Sequence, residues 1–155
     1  MSLSPKAQPI LEKLVERFGE KILWRQVRSE RRAYIAIPRE AVVECAVYVF
    51  NELGGRLSTI SAVDVGGGFE LLYHFTFDEA NLVLTLRCTA PKTDPAVDSI
   101  TPLMPGAEFI EREIMDLFGL VFRNHPNPER LILAESLPPD FHPLRKDWGE
   151  KVSRK

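Results

Sequence analysis

The sequence lacks the cysteine and histidine spacings that form disulfide frameworks or bind metals. It contains two cysteines, Cys45 and Cys88, without a CxxC pair, and three histidines without an HExxH pair. Small secreted domains and structural zinc sites depend on such closely spaced ligands. We therefore expect two buried free thiols, no disulfide and no metal centre.

Long apolar runs are also missing. The longest apolar stretches, residues 41–50 and 82–86, fall well short of the ~20 residues that cross a bilayer. The first residues, MSLSP, lack the basic segment and apolar core of a secretory signal. The sequence therefore predicts a cytoplasmic protein that is not integral to a membrane.

No excess of one charge is present either. The 155-residue chain has a formal net charge of −2, so its overall field favours neither nucleic acid nor an anionic membrane. The patterns GxSxG, GxxxxGK[ST] and GxGxxG are absent, which argues against a nucleophile elbow or a phosphate-binding loop. Gly66–Gly68 leads into a strand pattern, and we interpret it as a hairpin turn.

What the sequence does contain is a regular alternation of helical and strand patterns. Apolar residues at helical spacing predict three helices: residues 4–18, 42–53 and 106–118, followed by Gly19, Gly54 and Gly119. β-branched and aromatic runs predict five strands: residues 22–28, 33–37, 56–65, 69–77 and 81–89. The first two strands suggest a hairpin, and the last three suggest a meander.

These elements predict an α+β fold. We expect one domain over residues 1–148, with a single antiparallel or mixed sheet and helices packed on one of its faces. Residues 91–105 are interpreted as a surface loop. The segment after Gly119 carries five prolines, which predicts an extended Pro-rich C-terminal tail pinned to a surface. Residues 149–155 are expected to be flexible.

The stretch EREIMDLFG, residues 111–119, places three acids and one arginine in a helical pattern. On a helical wheel Glu113 falls inside the apolar half, so it should be paired or neutralised. The cations available to it are Arg130, Arg145 and Lys146. Glu111 is expected to point away from the core, towards solvent or a partner.

The same helix has a polar side. Glu108, Arg112 and Asp116 follow one another at four-residue spacing and are expected to form a ladder of ion pairs. In the tail, His125 and His142 each precede a proline, and we expect both to hydrogen-bond to backbone groups. Near the end of the chain, HPLRKDW places Arg145 where it can grip a carboxylate through two hydrogen bonds.

Three functions remain open from the residues alone. The first is a non-catalytic scaffold in which these charges pair to seat the tail. The second is a freestanding enzyme that uses Glu113 or a histidine for acid–base catalysis in a pocket. The third is a nucleic-acid-binding module built on the basic patch around Trp148, which the net charge disfavours.

Two separated motifs resemble a known family. EREIMDLFGLVFRNHP, residues 111–126, with Arg130-Leu131-Ile132 shortly after it and HPLRKDW at residues 142–148, is similar to the 30-kDa subunit of respiratory NADH:quinone oxidoreductase, complex I. Related membrane-bound energy-converting hydrogenases and formate hydrogenlyases carry the same module. The motifs cover about the last quarter of the chain.

The resemblance implies a non-catalytic subunit of the peripheral arm, on the cytoplasmic side of the membrane and without a flavin, iron–sulfur cluster or metal of its own. Its implied partners are the large subunit near the quinone site, or near the nickel–iron site in hydrogenases, and the small iron–sulfur subunit. The family's charged signature, implied to act in interfaces rather than in chemistry, would comprise Glu111, Arg112, Glu113, Asp116, His125, Arg130, His142, Arg145, Lys146 and Asp147.

Overall fold

A computed structural model describes residues 1–148 of the chain. The predicted flexible end, residues 149–155, lies outside the described residues, and the single-domain boundary stays a prediction. The order of elements is α1 (Gln8–Phe18), β1 (Trp24–Ser29), β2 (Arg32–Ala36), α2 (Val42–Asn51), β3 (Arg56–Asp64), β4 (Gly68–Phe77), β5 (Leu82–Pro91), β6 (Ala96–Asp98), α3 (Glu108–Phe118) and β7 (Val121–Arg123).

Five strands form one mixed sheet in the order β1-β2-β5-β4-β3. The predicted β1–β2 hairpin and β3–β4–β5 meander are both confirmed, and their neighbouring strands are antiparallel. The two units join through β2 and β5, which are parallel, with Ile35 opposite Leu86. The sheet is therefore mixed, and its two edges, β1 and β3, come from different units.

The hydrophobic core lies between one face of the sheet and the three helices. Alternate residues of the central strands are buried, such as Leu71, Tyr73 and Phe75 on β4. The opposite face carries polar side chains, among them Glu70 and His74. This alternation is the period-two pattern of a sheet with one covered face, and it confirms the predicted α+β fold.

Both cysteines are free and buried, as predicted. Cys45 lies on α2 and Cys88 lies on β5, and burial raises the pKa of each thiol to about 12. At such values the thiols stay protonated and behave as small apolar groups.

The loop predicted for residues 91–105 contains a strand that the sequence did not reveal. The three-residue β6 pairs in parallel with β7, so that Val97 lies opposite Phe122. β6 precedes α3 and β7 follows it directly. This short ladder therefore places the chain that precedes α3 beside the chain that follows it.

The prediction of an extended tail is wrong for most of its length. After β7 the chain forms bends at residues 131–133 and turns at 135–136, 139–140, 143–144 and 146–147. Proline excludes helix, but it is equally compatible with turns, and backbone hydrogen bonds such as Phe141 N to Pro138 O close them.

Gly119 ends α3 as predicted, in the left-handed conformation with φ of +71°. Its N–H donates to the Met115 carbonyl at 2.9 Å. A Cβ added here would lie 2.6 Å from the His142 ring. Only glycine satisfies both the turn and this close contact.

We expect Gly119→Ala to lower the free energy of unfolding by about 1–3 kcal/mol, through backbone strain and displacement of the His142 ring. Urea denaturation of the full chain measures the change. Gly106→Ala is the matched control, because a Cβ at this position meets nothing within 4 Å. Equal stability of both variants would contradict the account of Gly119.

Candidate functional site

A buried carboxylate ties α3 to the segment that follows β6. Glu111 is 0% exposed, and Oε1 accepts a hydrogen bond from the Ile100 amide at 2.9 Å. Oε2 accepts from the hydroxyls of Ser99 and Thr101, the latter at 2.7 Å. These three donors compensate the cost of removing a carboxylate from water.

His125 lies beside this carboxylate, and its side chain is 0% exposed. Nδ1 accepts from the Asn127 amide at 3.0 Å, so the proton of the neutral ring resides on Nε2. Nε2 is 3.3 Å from the Glu108 carbonyl oxygen and 3.7 Å from Glu111 Oε2. His125 therefore connects the chain after β7 to the first turn of α3.

Arg112 holds the next part of the tail. Its guanidinium donates to the carbonyl oxygens of Glu129 at 2.9 Å and Arg130 at 3.0 Å. It lies 3.7 Å from the Glu108 carboxylate and 5.7 Å from the centre of the Phe109 ring. The Arg112 guanidinium thus contacts one acid of its own helix and two backbone carbonyls of the tail.

Asp116 binds the tail through its backbone amides. One oxygen, Oδ2, accepts from Leu131 at 2.9 Å, Ile132 at 2.8 Å and Leu133 at 3.1 Å. Asp116 is 5% exposed, whereas Leu131 and Ile132 are 41% and 52% exposed. The carboxylate fixes the bend while the two apolar side chains point away from the core.

Arg130 fixes the turn that follows this bend. Its guanidinium donates to the carbonyls of Ala134 at 2.8 Å, Leu137 at 3.0 Å and Pro138 at 2.5 Å. A guanidinium offers five donors in a rigid fork, which suits three carbonyls converging from one turn.

The last motif covers the C-terminal end of α3. His142 Nδ1 donates to the Asp116 carbonyl at 2.8 Å, and the Leu144 amide donates to the Leu117 carbonyl at 3.0 Å. The final turn of a helix leaves such carbonyls without intrahelical partners. The tail therefore completes the hydrogen bonding of the helix on which it packs.

Arg145 and Asp147 form a two-pronged ion pair with both N···O distances at 2.9 Å. The Arg145 guanidinium also lies 5.3 Å from the centre of the Phe69 ring. The hydrogen bonds from Arg145 lower the pKa of Asp147 to about 2, and the same contact raises the pKa of Arg145 above its usual value.

Asp64, at the end of β3, anchors the same motif from the sheet. It is 4% exposed and accepts from the Lys146 amide and the Gly66 amide, each at 2.9 Å. The Lys92 ammonium lies 3.0 Å away. Burial raises the pKa of Asp64, but the two amides and Lys92 outweigh it, so the pKa is lowered overall. The side chain of Lys146 itself is exposed.

The burial predicted for Glu111 and Glu113 is wrong for both residues. Glu111 is buried, whereas Glu113 is exposed, and within residues 1–148 Glu113 forms no salt bridge with Arg130, Arg145 or Lys146. The cause is Phe109. Phe109 is 62% exposed, so a helical wheel that counts it as a core residue assigns the wrong face of α3 to the core. That face carries Glu111, Ile114 and Phe118 at helical spacing.

The predicted ladder is half right. Glu108 and Arg112 pair, but Asp116 binds backbone amides instead of Arg112. The backbone contacts predicted for His125 and His142 are confirmed, although the segment that carries them is not extended. Ser99, Thr101 and Asp64 were missed. Asp64 precedes the predicted glycine turn, a position that favours side-chain capping of turn amides.

Two surface cavities, of about 600 and 680 Å³, lie away from Glu111: α1 and β1 line the first, and α1, the end of α2 and the β4–β5 turn line the second. Among residues 1–148, no three His, Cys, Asp or Glu side chains group to hold a metal. In the same part of the chain, no helix has the length and apolarity needed to cross a membrane.

Comparison with known proteins agrees with this geometry. The sequence profile of "Respiratory-chain NADH dehydrogenase, 30 Kd subunit" matches residues 35–152. The chain belongs to this family. The match includes the meander, α3 and both tail motifs, so the family resemblance predicted from those motifs is confirmed. As a member of the 30-kDa subunit family, the protein is a component of a multisubunit, complex I-type assembly.

Relatives of the family come from different complexes. The C/D subunit of NADH-quinone oxidoreductase from Methylococcus capsulatus is 33% identical over 95% of this chain, which spans 27% of that longer protein. The C subunit of F(420)H(2) dehydrogenase from Methanosarcina mazei is 30% identical over 92% of this chain and 91% of its own length.

Solved structures share the fold. A chain of the membrane-bound sulfane sulfur reductase, an archaeal respiratory membrane complex, matches with a TM-score of 0.80 and 22% identity, covering 97% of this chain and 92% of its own. The trypsin-resistant fragment of Nqo5 matches with a TM-score of 0.64 and 25% identity, covering 76% and 98%.

We expect Glu111→Gln to lower the free energy of unfolding by about 1–3 kcal/mol, because an amide nitrogen replaces one acceptor in a buried cluster. Glu113→Gln, on the exposed face, should change it by less than about 0.5 kcal/mol. Urea denaturation of the two variants measures this difference. A larger loss for Glu113→Gln would show that Glu113, and not Glu111, is the acid on which the fold depends.

The Arg145–Asp147 pair predicts a specific pH dependence. The folded pKa of Asp147, about 2, lies below the unfolded value of about 3.9. The pair therefore stabilises the fold above about pH 4, and this contribution is lost as pH falls towards about 2. NMR titration of the Asp147 carboxyl should show the low midpoint, and Arg145→Gln should raise it towards 3.9. An unchanged midpoint would contradict the pairing.

Proposed function

We propose that this protein is a non-catalytic peripheral-arm subunit of a complex I-type oxidoreductase and that it docks on the large subunit through the tail surface. The tail surface comprises four exposed apolar side chains on α3 and on the tail bound to it: Phe109, Leu131, Ile132 and Leu144. In this proposal the charged signature positions the tail surface, and the redox chemistry resides in neighbouring subunits.

The observation that carries the proposal is the binding of three consecutive amides by Asp116 Oδ2. It fixes Leu131 and Ile132 with their side chains exposed. Leu144, 52% exposed, is held beside the same helix by the Leu117 carbonyl, and Phe109 lies under Arg112. Exposed apolar side chains held in a fixed arrangement are typical of a surface that a partner covers.

The charges themselves support docking over catalysis. Glu111, Arg112, Asp116 and Arg130 bind backbone groups or hydroxyls of this same chain. An acid–base residue needs access to a substrate. We therefore consider a freestanding acid–base enzyme the weaker hypothesis.

The wider assembly follows from the family. By resemblance we infer the large 49-kDa or hydrogenase-like subunit and the small iron–sulfur subunit as partners, with the complex on the cytoplasmic face of the membrane. The F(420)H(2) dehydrogenase relative favours an alternative in which the same docking role serves another electron donor. The large-subunit gene distinguishes a hydrogenase branch, since two CxxC pairs in its product would provide nickel–iron ligands.

We expect Leu131→Ser/Ile132→Ser to reduce co-purification of the large subunit about tenfold or more, because two central apolar contacts are lost. Phe50→Ser on α2 is the control, since Phe50 is also exposed, at 42%, but lies on another helix. Pull-down of the tagged chain with quantification of the large subunit measures the effect. Wild-type yield for the double variant would overturn the proposed docking surface.

A further inference from the structure

The sheet ends in an edge strand whose outer backbone groups are unpaired among the described residues. β1 stands first in the strand order and pairs only with β2. In an antiparallel edge strand, alternate residues direct their N–H and C=O groups away from the sheet. β1 thus offers a row of donors and acceptors to which a further strand could pair.

Four arginines gather on this edge and its hairpin. Arg25 and Arg28 lie on β1, and Arg31 and Arg32 lie at the turn into β2, all of them exposed. Within residues 1–148 none of the four forms a salt bridge. The only acid between residues 24 and 33 is Glu30, so the hairpin is strongly basic in a chain of net charge −2.

Most arginines elsewhere in residues 32–148 have a carboxylate partner. Arg39, Arg56, Arg87, Arg123 and Arg145 each lie within 3.6 Å of a carboxylate. Lys6, Lys13 and Arg17, in and before α1, also form no salt bridge in the part of the chain that the structure describes, but the hairpin places four arginines without a carboxylate partner within eight residues. A cluster of this kind is complementary to an acidic partner.

Apolar side chains adjoin the same edge. Leu23 is 67% exposed and Trp24 is 38% exposed, and the Arg87 guanidinium lies 5.0 Å from the centre of the Trp24 ring. A strand added beside β1 would contact Leu23, Trp24 and Arg25 at one end of β1 and would reach Arg28 near the hairpin turn at the other. Exposed tryptophan and arginine together are typical of interface centres.

We propose that an extended, acidic segment of a neighbouring subunit adds to β1 as a sixth strand, with its carboxylates against Arg25, Arg28, Arg31 and Arg32. Main-chain hydrogen bonds supply the general affinity of such strand addition, and side chains supply selectivity. The planar arginine fork suits carboxylates, which it binds through two hydrogen bonds. RNA could use the arginines, but it could not continue the backbone ladder.

This site is independent of the tail surface. β1 and β3 are opposite edges of the sheet, and α3 packs beside β3. A defect at one surface is therefore measurable separately from a defect at the other. The inference requires membership of a multisubunit assembly, but it does not require that the tail surface docks on the large subunit.

Hydrogen–deuterium exchange by mass spectrometry tests the strand addition directly. We expect the amides of residues 24–29 to exchange about tenfold or more slowly in the purified complex than in the free chain, because the outward amides gain partners. Docking on a face of the sheet would leave those amides without such protection. Unchanged exchange over residues 24–29 would overturn the proposal.

The charge requirement needs a matched pair of variants. Arg28→Gln/Arg31→Gln/Arg32→Gln should remove most of the added protection, while protection of residues 129–133 stays as in the wild type. Lys6→Gln/Lys13→Gln/Arg17→Gln, on exposed sites in and before α1, removes the same formal charge and should preserve it. Equal protection in both triple variants would overturn the role of the arginines.

The chemistry of the occupant is tested by photo-crosslinking in the assembled complex, with p-benzoylphenylalanine at the exposed Gln26 of β1. We expect an adduct to one segment of a neighbouring subunit that is rich in Asp and Glu. An adduct to RNA, to lipid, to a basic segment or to a second copy of this chain would overturn the proposal. A failure to crosslink would also overturn it. If the arginines only prevent edge-to-edge aggregation, the Arg28→Gln/Arg31→Gln/Arg32→Gln variant should self-associate while residues 24–29 of the wild type gain no protection in the complex, and this result too would overturn the proposal.

Discussion

The conformation of the tail after β7 depends on the Asp116 carboxylate, which binds three successive tail amides through a single oxygen. The five prolines after β7 lack an N–H, and in residues 124–147 the chain forms no helix and no strand ladder. The tail takes its order from α3 instead. Because the amides at residues 131–133 converge on one acceptor, the bend is fixed locally, and His142 and Leu144 then attach to the carbonyls at the end of the same helix.

Glu111 and Arg112, like Asp116, are charged side chains of α3 that bind other segments of the chain. Glu111 binds the chain that enters α3, and Arg112 binds the chain that leaves β7. Each charge is matched by hydrogen bonds rather than by an exposed ion pair, and such contacts are stronger when water is excluded. The family signature in this protein is thus a set of links between backbone segments. Most of its charges bind groups of the same chain, and Glu113 and the Lys146 side chain are the exposed exceptions.

The sequence predicted the elements well because their periodicity is strong. The hairpin, the meander, the glycine ends of α2 and α3 and the buried cysteines follow from alternation, turn residues and composition.

The parallel β2–β5 pairing was not predictable, since nothing in the local sequence indicates which strand lies beside β2. Strand β6 has three residues, too few for a pattern. The burial of Glu111 and Glu113 was predicted the wrong way round because a helical wheel locates the buried face from the apolar residues, and Phe109, although apolar, is exposed. The partners of Asp116 and Asp64 are backbone amides, which sequence alone does not identify.

The parallel contact between β2 and β5 has a consequence for synthesis on the ribosome. The first hairpin leaves the exit tunnel well before β5, because residues 37–81 intervene. Until β5 has been synthesised, the β1–β2 hairpin has no third strand to pair with. Isolated two-stranded hairpins are only marginally stable. The sheet therefore closes late, at its middle strand. The order of the strands thus leaves the first hairpin without its stabilising neighbour until nearly the whole meander has been synthesised.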